Sequence, residues 1–286
     1  MFKSALLGSA AFVLSTTVAM AGPVLIINGS STTSENLTTN SITTQLTTLH
    51  EAVGNTVTVA DAVPMDIGSF AQVWDIRFSN SGALTADDRS LYVSYLQGGG
   101  GMFVMGENSL FANRNESVLQ LIDDAGGGVI NFLDTSDSQI VLSPFDMPNA
   151  ITNVTFNAAG GVDSAGSGQF ITETVGSPGT GVGVAFDIGE LTNAPLGGLT
   201  AIFDVNFMQT TAAQPLQDLT ANLIGFLDEV ADPPAPPPPP PGPPAPPPPG
   251  PPPPPPTDVP EPGTMAVLGT GLAALGLARR RKSLKS

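Results

Sequence analysis

Residues 22–232 predict an α/β domain with a three-layer, mainly parallel sheet, on three observations. Val24–Ile27 and Met102–Met105 are apolar runs without alternation, the character of strands buried on both faces. Stretches of helical period separate such runs, so strand and helix alternate along the chain, which calls for parallel pairing through right-handed crossovers. The 211 residues from Gly22 to Asp232 are enough for one domain that buries about 70% of its unfolded surface.

The first strand closes on Asn28-Gly29. Ile42, Leu46, Leu49 and Val53 then fall at i, i+4, i+7 and i+11, one stripe of an amphipathic helix whose threonines face outward. A strand is expected at Thr56–Ala60 and another around Gln72–Phe78. Thr85-Ala86-Asp87-Asp88 reads as a capping box with Asp in place of Glu. The helix behind it buries Leu91, Tyr92, Tyr95 and Leu96 and ends in the glycines at 98–101. Met102–Met105 is the next strand. It exits through Gly106-Glu107-Asn108 towards a helix with Asn113 and Glu116 as cap residues and Val118, Leu119 and Ile122 inward. After Gly126-Gly127-Gly128 the helical signal lapses. Short β-type runs follow at 139–142, 151–156, 169–175, 181–186 and 199–207, a β-rich insertion expected to elaborate the carboxyl edge of the sheet. A final helix carries Leu216, Leu219, Leu223, Ile224 and Leu227 on one side.

The domain stops where composition changes. Of the 24 residues from Pro233 to Pro256, 20 are proline, so residues 233–257 predict a polyproline II stalk, semi-rigid and without a core. Met265–Ala278 supplies 14 uncharged residues, a single short apolar helix of roughly 21 Å against a hydrocarbon core of about 30 Å. Arg279, Arg280, Arg281, Lys282 and Lys285 follow and hold the cytoplasmic side, making the span a transient stop in the inner membrane. At the other end, Lys3, the apolar run Ala5–Val18 and Ala19-Met20-Ala21 form a signal peptide over residues 1–21, cut before Gly22.

Residues 22–278 set 25 acidic residues against only Arg77, Arg89 and Arg114, net −22, which disfavours nucleic acid on electrostatic grounds. With no cysteine there is neither a disulfide nor a thiolate metal site, and no pattern calls for a cofactor. Of the candidate ligand residues, Glu107 and Asp75 suit acid–base work if buried together, and Asn108 sits beside them. A hydrogen-bonding Glu at a strand end is the plainer account. Ser109 lies on a strand-to-helix turn without a histidine following to activate it. Asp134 and Asp137 offer oxygen ligands for Ca²⁺ but lack the alternating loop of an EF-hand. Trp74, Tyr92 and Tyr95 serve either as core or as a sugar-stacking platform.

Two family resemblances follow. Val259-Pro260-Glu261-Pro262-Gly263-Thr264, the short apolar helix and the basic end, together residues 258–286, resemble the PEP-CTERM sorting signal. That resemblance implies processing by exosortase near the Pro-Glu-Pro, delivery to the cell surface or extracellular matrix, and association with exopolysaccharide or biofilm. It also implies an intermediate tethered to the inner membrane with its domain in the periplasm. The strand at Val24, the strand and turn at 98–108 and the closing strand and helix resemble the flavodoxin-like fold of class I glutamine amidotransferases. That family's chemistry needs a Cys and a His; this chain has no Cys, and its one histidine, His50, falls in the first helix. The expectation is a non-enzymatic exported protein, with a carboxylate-based hydrolase or carbohydrate-binding module as the alternative.

Overall fold

The computed structural model describes residues 22–30 and 36–231. The chain divides into two units, Met1–Ala235 and Pro236–Ser286, and every described residue lies in the first. The expected signal peptide, polyproline stalk, short apolar helix and basic cluster lie outside the described residues.

The first half is doubly wound. β1 (Pro23–Ile27), α1 (Asn36–Ala52), β2 (Thr56–Ala60), β3 (Gln72–Asp75), α2 (Ala86–Gln97), β4 (Gly101–Gly106) and α3 (Ala112–Ala125) alternate as expected. The insertion adds β5 (Phe132–Asp134), β6 (Ser138–Val141), β7 (Asn153–Thr155), β8 (Gly160–Val162), β9 (Gln169–Thr174) and β10 (Gly183–Phe186), and β11 (Gly198–Phe203) and α4 (Gln214–Ala231) close the domain. Nine strands form one sheet in the order β2-β1-β3-β4-β11-β10-β9-β6-β7. The pairings from β2 to β11 are parallel, and those from β11 through β10, β9 and β6 to β7 are antiparallel.

The mainly parallel expectation therefore holds for the half flanked by helices, and the sheet as a whole is mixed. The insertion mostly widens the sheet sideways. The β5–β8 ribbon covers the carboxyl ends, with Phe132 edge-on to Phe203 at 5.8 Å.

Alternation along the buried strands feeds two cores, which makes the three layers. Val24, Ile26, Trp74, Phe103 and Met105 face α1 and α4, whereas Leu25, Ile27, Val73, Met102 and Val104 face α2 and α3. The α1 stripe is shifted from expectation. Thr39, Ile42, Leu46 and His50 point inward, and Val53 lies past the helix end, half exposed. The apolar count misled there because a neutral histidine takes the fourth inward position. Thr85 and Asp88 do form the capping box: Thr85 Oγ1 accepts Asp88 N–H at 3.0 Å and Asp88 Oδ2 accepts Thr85 N–H at 3.1 Å. Asn113 and Glu116 are not caps, since α3 begins at Ala112; Asn108 instead caps the short turn before it, accepting Leu110 N–H. Gly126 ends α3 at φ +91°, and a Cβ there would fall 2.3 Å from Thr192 Oγ1.

Candidate functional site

In this strand order the sheet switches direction at β1, between β2 and β3, and open α/β sheets ordinarily hold ligands outside the carboxyl ends at such a point. Here the chain fills that edge itself. Asp75, the last residue of β3, is fully buried. Its Oδ1 accepts the backbone and Nε of Arg77 at 3.1 and 3.0 Å and lies 3.3 Å from Arg114 Nη2. Its Oδ2 accepts Arg77 Nη2 at 2.6 Å and Tyr92 Oη at 2.8 Å. Arg114 is also fully buried and donates to Met105 O at 2.8 Å and Gly82 O at 2.7 Å. Burial pushes the Asp75 carboxyl up, but the guanidiniums of Arg114 and Arg77 and the Tyr92 hydroxyl outweigh it and hold the group well below the usual carboxylate range.

Two more carboxylates fill the neighbouring strand ends. Glu107, just past β4, accepts Val205 N–H on Oε2 at 2.5 Å and Asn108 Nδ2 on Oε1 at 2.8 Å. Asp204, just past β11, accepts Asn157 N–H at 2.7 Å and Asn206 N–H at 2.5 Å. Burial pushes Glu107 up to about 7 despite the Val205 bond, with the Asp204 charge adding to the rise. Burial likewise pushes Asp204 up to about 6, against its backbone donors. Glu107, Asn108 and Asp75 thus do come to one edge, as expected, but each is committed to the protein's own groups.

The remaining candidates separate. Asp134 is exposed on β5, while Asp137 spends Oδ1 on Ala159 N–H at 3.0 Å; among the described residues no group of three or more His, Cys, Asp and Glu is placed to hold a metal ion. Trp74 is fully buried and stacked on Phe103 at 4.8 Å, and Tyr92 and Tyr95 are buried in the core on the other face of the sheet, so these aromatics are core. Ser109 is exposed at the rim of an open groove of about 670 Å³ between α3 and residues 129–132, lined also by Glu116, Leu119, Gln120, Val129 and Phe132. The one fully buried polar side chain at that groove, Asn115, is spent on the backbone of Glu107 and Asn108.

Sequence reasoning missed the opposite, amino edge. His50 is buried, with Nδ1 3.2 Å from Asn55 Nδ2 and its ring edge-on to Trp74 at 5.2 Å. Asn55 Oδ1 accepts Gly22 N–H at 2.9 Å, which turns the amide NH₂ towards His50; Nδ1 is therefore the acceptor, and the proton sits on Nε2. Burial pulls His50 down to about 4. Asp228 accepts Asn55 Nδ2 at 3.4 Å and Gln72 Nε2, and Gln72 Oε1 accepts Trp74 Nε1 at 2.8 Å. The available signal was a histidine in step with Ile42 and Leu46, and amides at the starts of two strands, Asn55 just before β2 and Gln72 opening β3.

The tail carries a sorting signal. Residues 258–282 match the PEP-CTERM protein-sorting motif. This is the expected segment, and it implies export, processing by exosortase and sorting to the cell surface. The matched residues, among them Glu261 and the Arg279–Lys282 cluster, lie outside the described residues, as do Lys285 and the leader residues Ala19 and Ala21; Gly22 is the first described residue. Among the described residues no helix is long and apolar enough to cross a membrane.

No curated protein sequence matches the chain. Among solved structures, the IFT52 N-terminal domain is similar at 12% identity and a TM-score of 0.53, over 72% of this chain and 97% of that one, which shows a shared fold. A ThuA-like protein from Bacteroides uniformis aligns at 14% identity and TM-score 0.44, over 72% of this chain and 90% of that one. The exo-β-1,4-mannosidase Op5Man5 from an Opitutaceae bacterium aligns at 11% and 0.47, over 71% of this chain but only 35% of the mannosidase. None of these descriptions names a glutamine amidotransferase.

Proposed function

We propose that the protein is a non-enzymatic surface or matrix component. In this reading it crosses the inner membrane head first, stalls on the short apolar segment of its tail and is cut by exosortase near Glu261. The carrying observation is the sorting motif over residues 258–282. The carboxyl edge supports the non-enzymatic part: Asp75, Glu107 and Asp204 are buried and face arginines, amides and backbone donors rather than solvent. The net −22 of residues 22–278 suits solubility outside the cell, and association with an anionic exopolysaccharide would need bridging cations.

Mass spectrometry of the secreted protein tests the reading. A C-terminus near Glu261 in a strain with exosortase, and an intact Ser286 without it, is the expected pair; an intact Ser286 in both strains overturns it. The alternative, a carboxylate-based hydrolase or carbohydrate-binding module, draws on the groove beside Glu116 and on the raised Glu107 carboxyl. A panel of glycan and ester substrates decides between them, since an activity lost in Glu107→Gln would displace the non-enzymatic reading.

A further inference from the structure

The amino edge of the sheet has a place made for Gly22. The Gly22 nitrogen lies 2.9 Å from Asn55 Oδ1, and the Gly22 carbonyl accepts Thr56 N–H at 3.1 Å. Asn55 is 5% exposed, with its amide nitrogen between His50 Nδ1 and Asp228 Oδ1. β1 begins at the next residue, Pro23. The ionisable groups in the last turns of the helices packed here are His50 and Glu51 on α1 and Asp228 and Glu229 on α4, with Asp218 in the first half of α4 and none on β1, β2 or the start of β3. The last turn of α4 contains no basic residue, and that of α1 contains only His50, which burial keeps neutral. Both helices direct their negative C-terminal ends to this edge, so the local field is negative, and among the described residues no cation is placed in these helix ends to meet it.

We propose that removal of the leader completes this edge: hydrolysis of the Ala21–Gly22 bond makes Gly22 the N-terminal residue, and its α-ammonium is seated on Asn55 Oδ1, with the Asp228 carboxyl on the other side of the Asn55 amide. In that step water adds across the peptide bond, leaving Ala21 as a carboxylate and Gly22 as the ammonium. The inference rests on the export reading above. The seat is an amine-capture site of the kind that holds chain termini elsewhere. Asn55 Oδ1 already accepts the N–H of the uncleaved amide, and cleavage adds two donor hydrogens and a positive charge to that nitrogen. The residues from Gly22 to Arg281 contain no lysine, so a chain cut at both ends has a single amine, that of Gly22.

That single amine makes the test direct. The protein is purified from the culture medium, its intact mass is read for both termini, and it is acetylated with an N-hydroxysuccinimide ester between pH 7 and 9.5, native and in guanidinium chloride. The expected result is an N-terminus at Gly22 whose native acetylation at pH 7 is nearly tenfold slower than in the denatured chain, the factor for a one-unit rise in the amine's pKa, with the gap closing towards pH 9.5. Asp228→Asn should remove most of that difference. The native-to-denatured ratio of the unaltered protein decides the matter even if the variant does not fold. Equal rates in the two states at pH 7, or a first residue other than Gly22, overturn the inference. A chain trimmed near Glu261 but starting elsewhere sinks this proposal and spares the sorting reading. A chain that starts at Gly22 but keeps Ser286 does the reverse, and its Lys282 and Lys285 then serve as reference amines.

Discussion

At the carboxyl edge of the parallel strands Asp75 is held between Arg77 and Arg114, whereas at the amino edge His50, Asn55, Gln72 and Asp228 share hydrogen bonds with no guanidinium among them. The two edges bury polar groups by different means. The carboxyl edge keeps charge and neutralises it with charge; the amino edge keeps most groups neutral and chains them through amides. A charged cluster fails when one partner goes, because the remaining ions are stranded out of water. An amide chain loses about one hydrogen bond at a time.

Four measurements put that contrast at risk. The largest effect is expected for Asp75→Asn, which leaves Arg114 fully buried without its carboxylate and should cost about 3–5 kcal/mol in urea unfolding. A loss below about 1 kcal/mol would erase the distinction between the edges.

Next come the two arms of the pH profile. The folded-state pKa of Glu107 lies above its unfolded value, so stability is greatest below about pH 4.5 and is lost as pH rises through about 7, a change of about 3 kcal/mol at 1.4 kcal/mol per unit. Asp204 adds a loss of the same sign through about pH 6. Glu107→Gln should remove the first part and leave a shallower decline. His50 acts in the opposite sense. Its folded-state pKa is depressed, so its contribution is present above about pH 6.5 and is lost as pH falls through about 4, again about 3 kcal/mol. In His50→Phe, urea midpoints should keep rising towards acid where those of the parent protein flatten; parallel curves would show that the amino edge does not titrate as described. The smallest change serves as an uncharged reference: Thr85→Ala removes the α2 cap and should cost about 1 kcal/mol with no pH dependence between 6 and 8.

The parallel half was legible in the sequence because its strands are buried on both faces and its helices carry unambiguous ends, such as Thr85 to Asp88 and Gly126. The antiparallel half was legible as strands but not as an extension of the same sheet. β6 alternates exposed and buried residues as an antiparallel strand should, but nothing local states which neighbour it joins. β5 and β8 are three residues each, and Gly160-Gly161 leaves no side-chain period to read. At the carboxyl edge Asp75, Glu107 and Asn108 were visible from position alone. Their partners were not, since Arg114 reaches Asp75 from 39 residues away and Val205 reaches Glu107 from 98. Pairing across such separations is a property of the closed sheet. The Asn55–His50 contact spans only five residues, yet it was passed over because His50 was weighed only as a catalytic base.

One topological detail bears on how such a chain travels. β11 lies against β4 in register from Gly198 opposite Gly101 to Phe203 opposite Gly106, although the whole insertion separates them in sequence. While a nascent chain is still short of residue 198, β4 has one bare side and α4 has not been made to cover its face. Loop closure over such a span is slow, so the polypeptide stays loose until nearly all of it has been synthesised. A late-fastening clasp of this kind suits a molecule that must be threaded through a narrow passage before it acquires a shape.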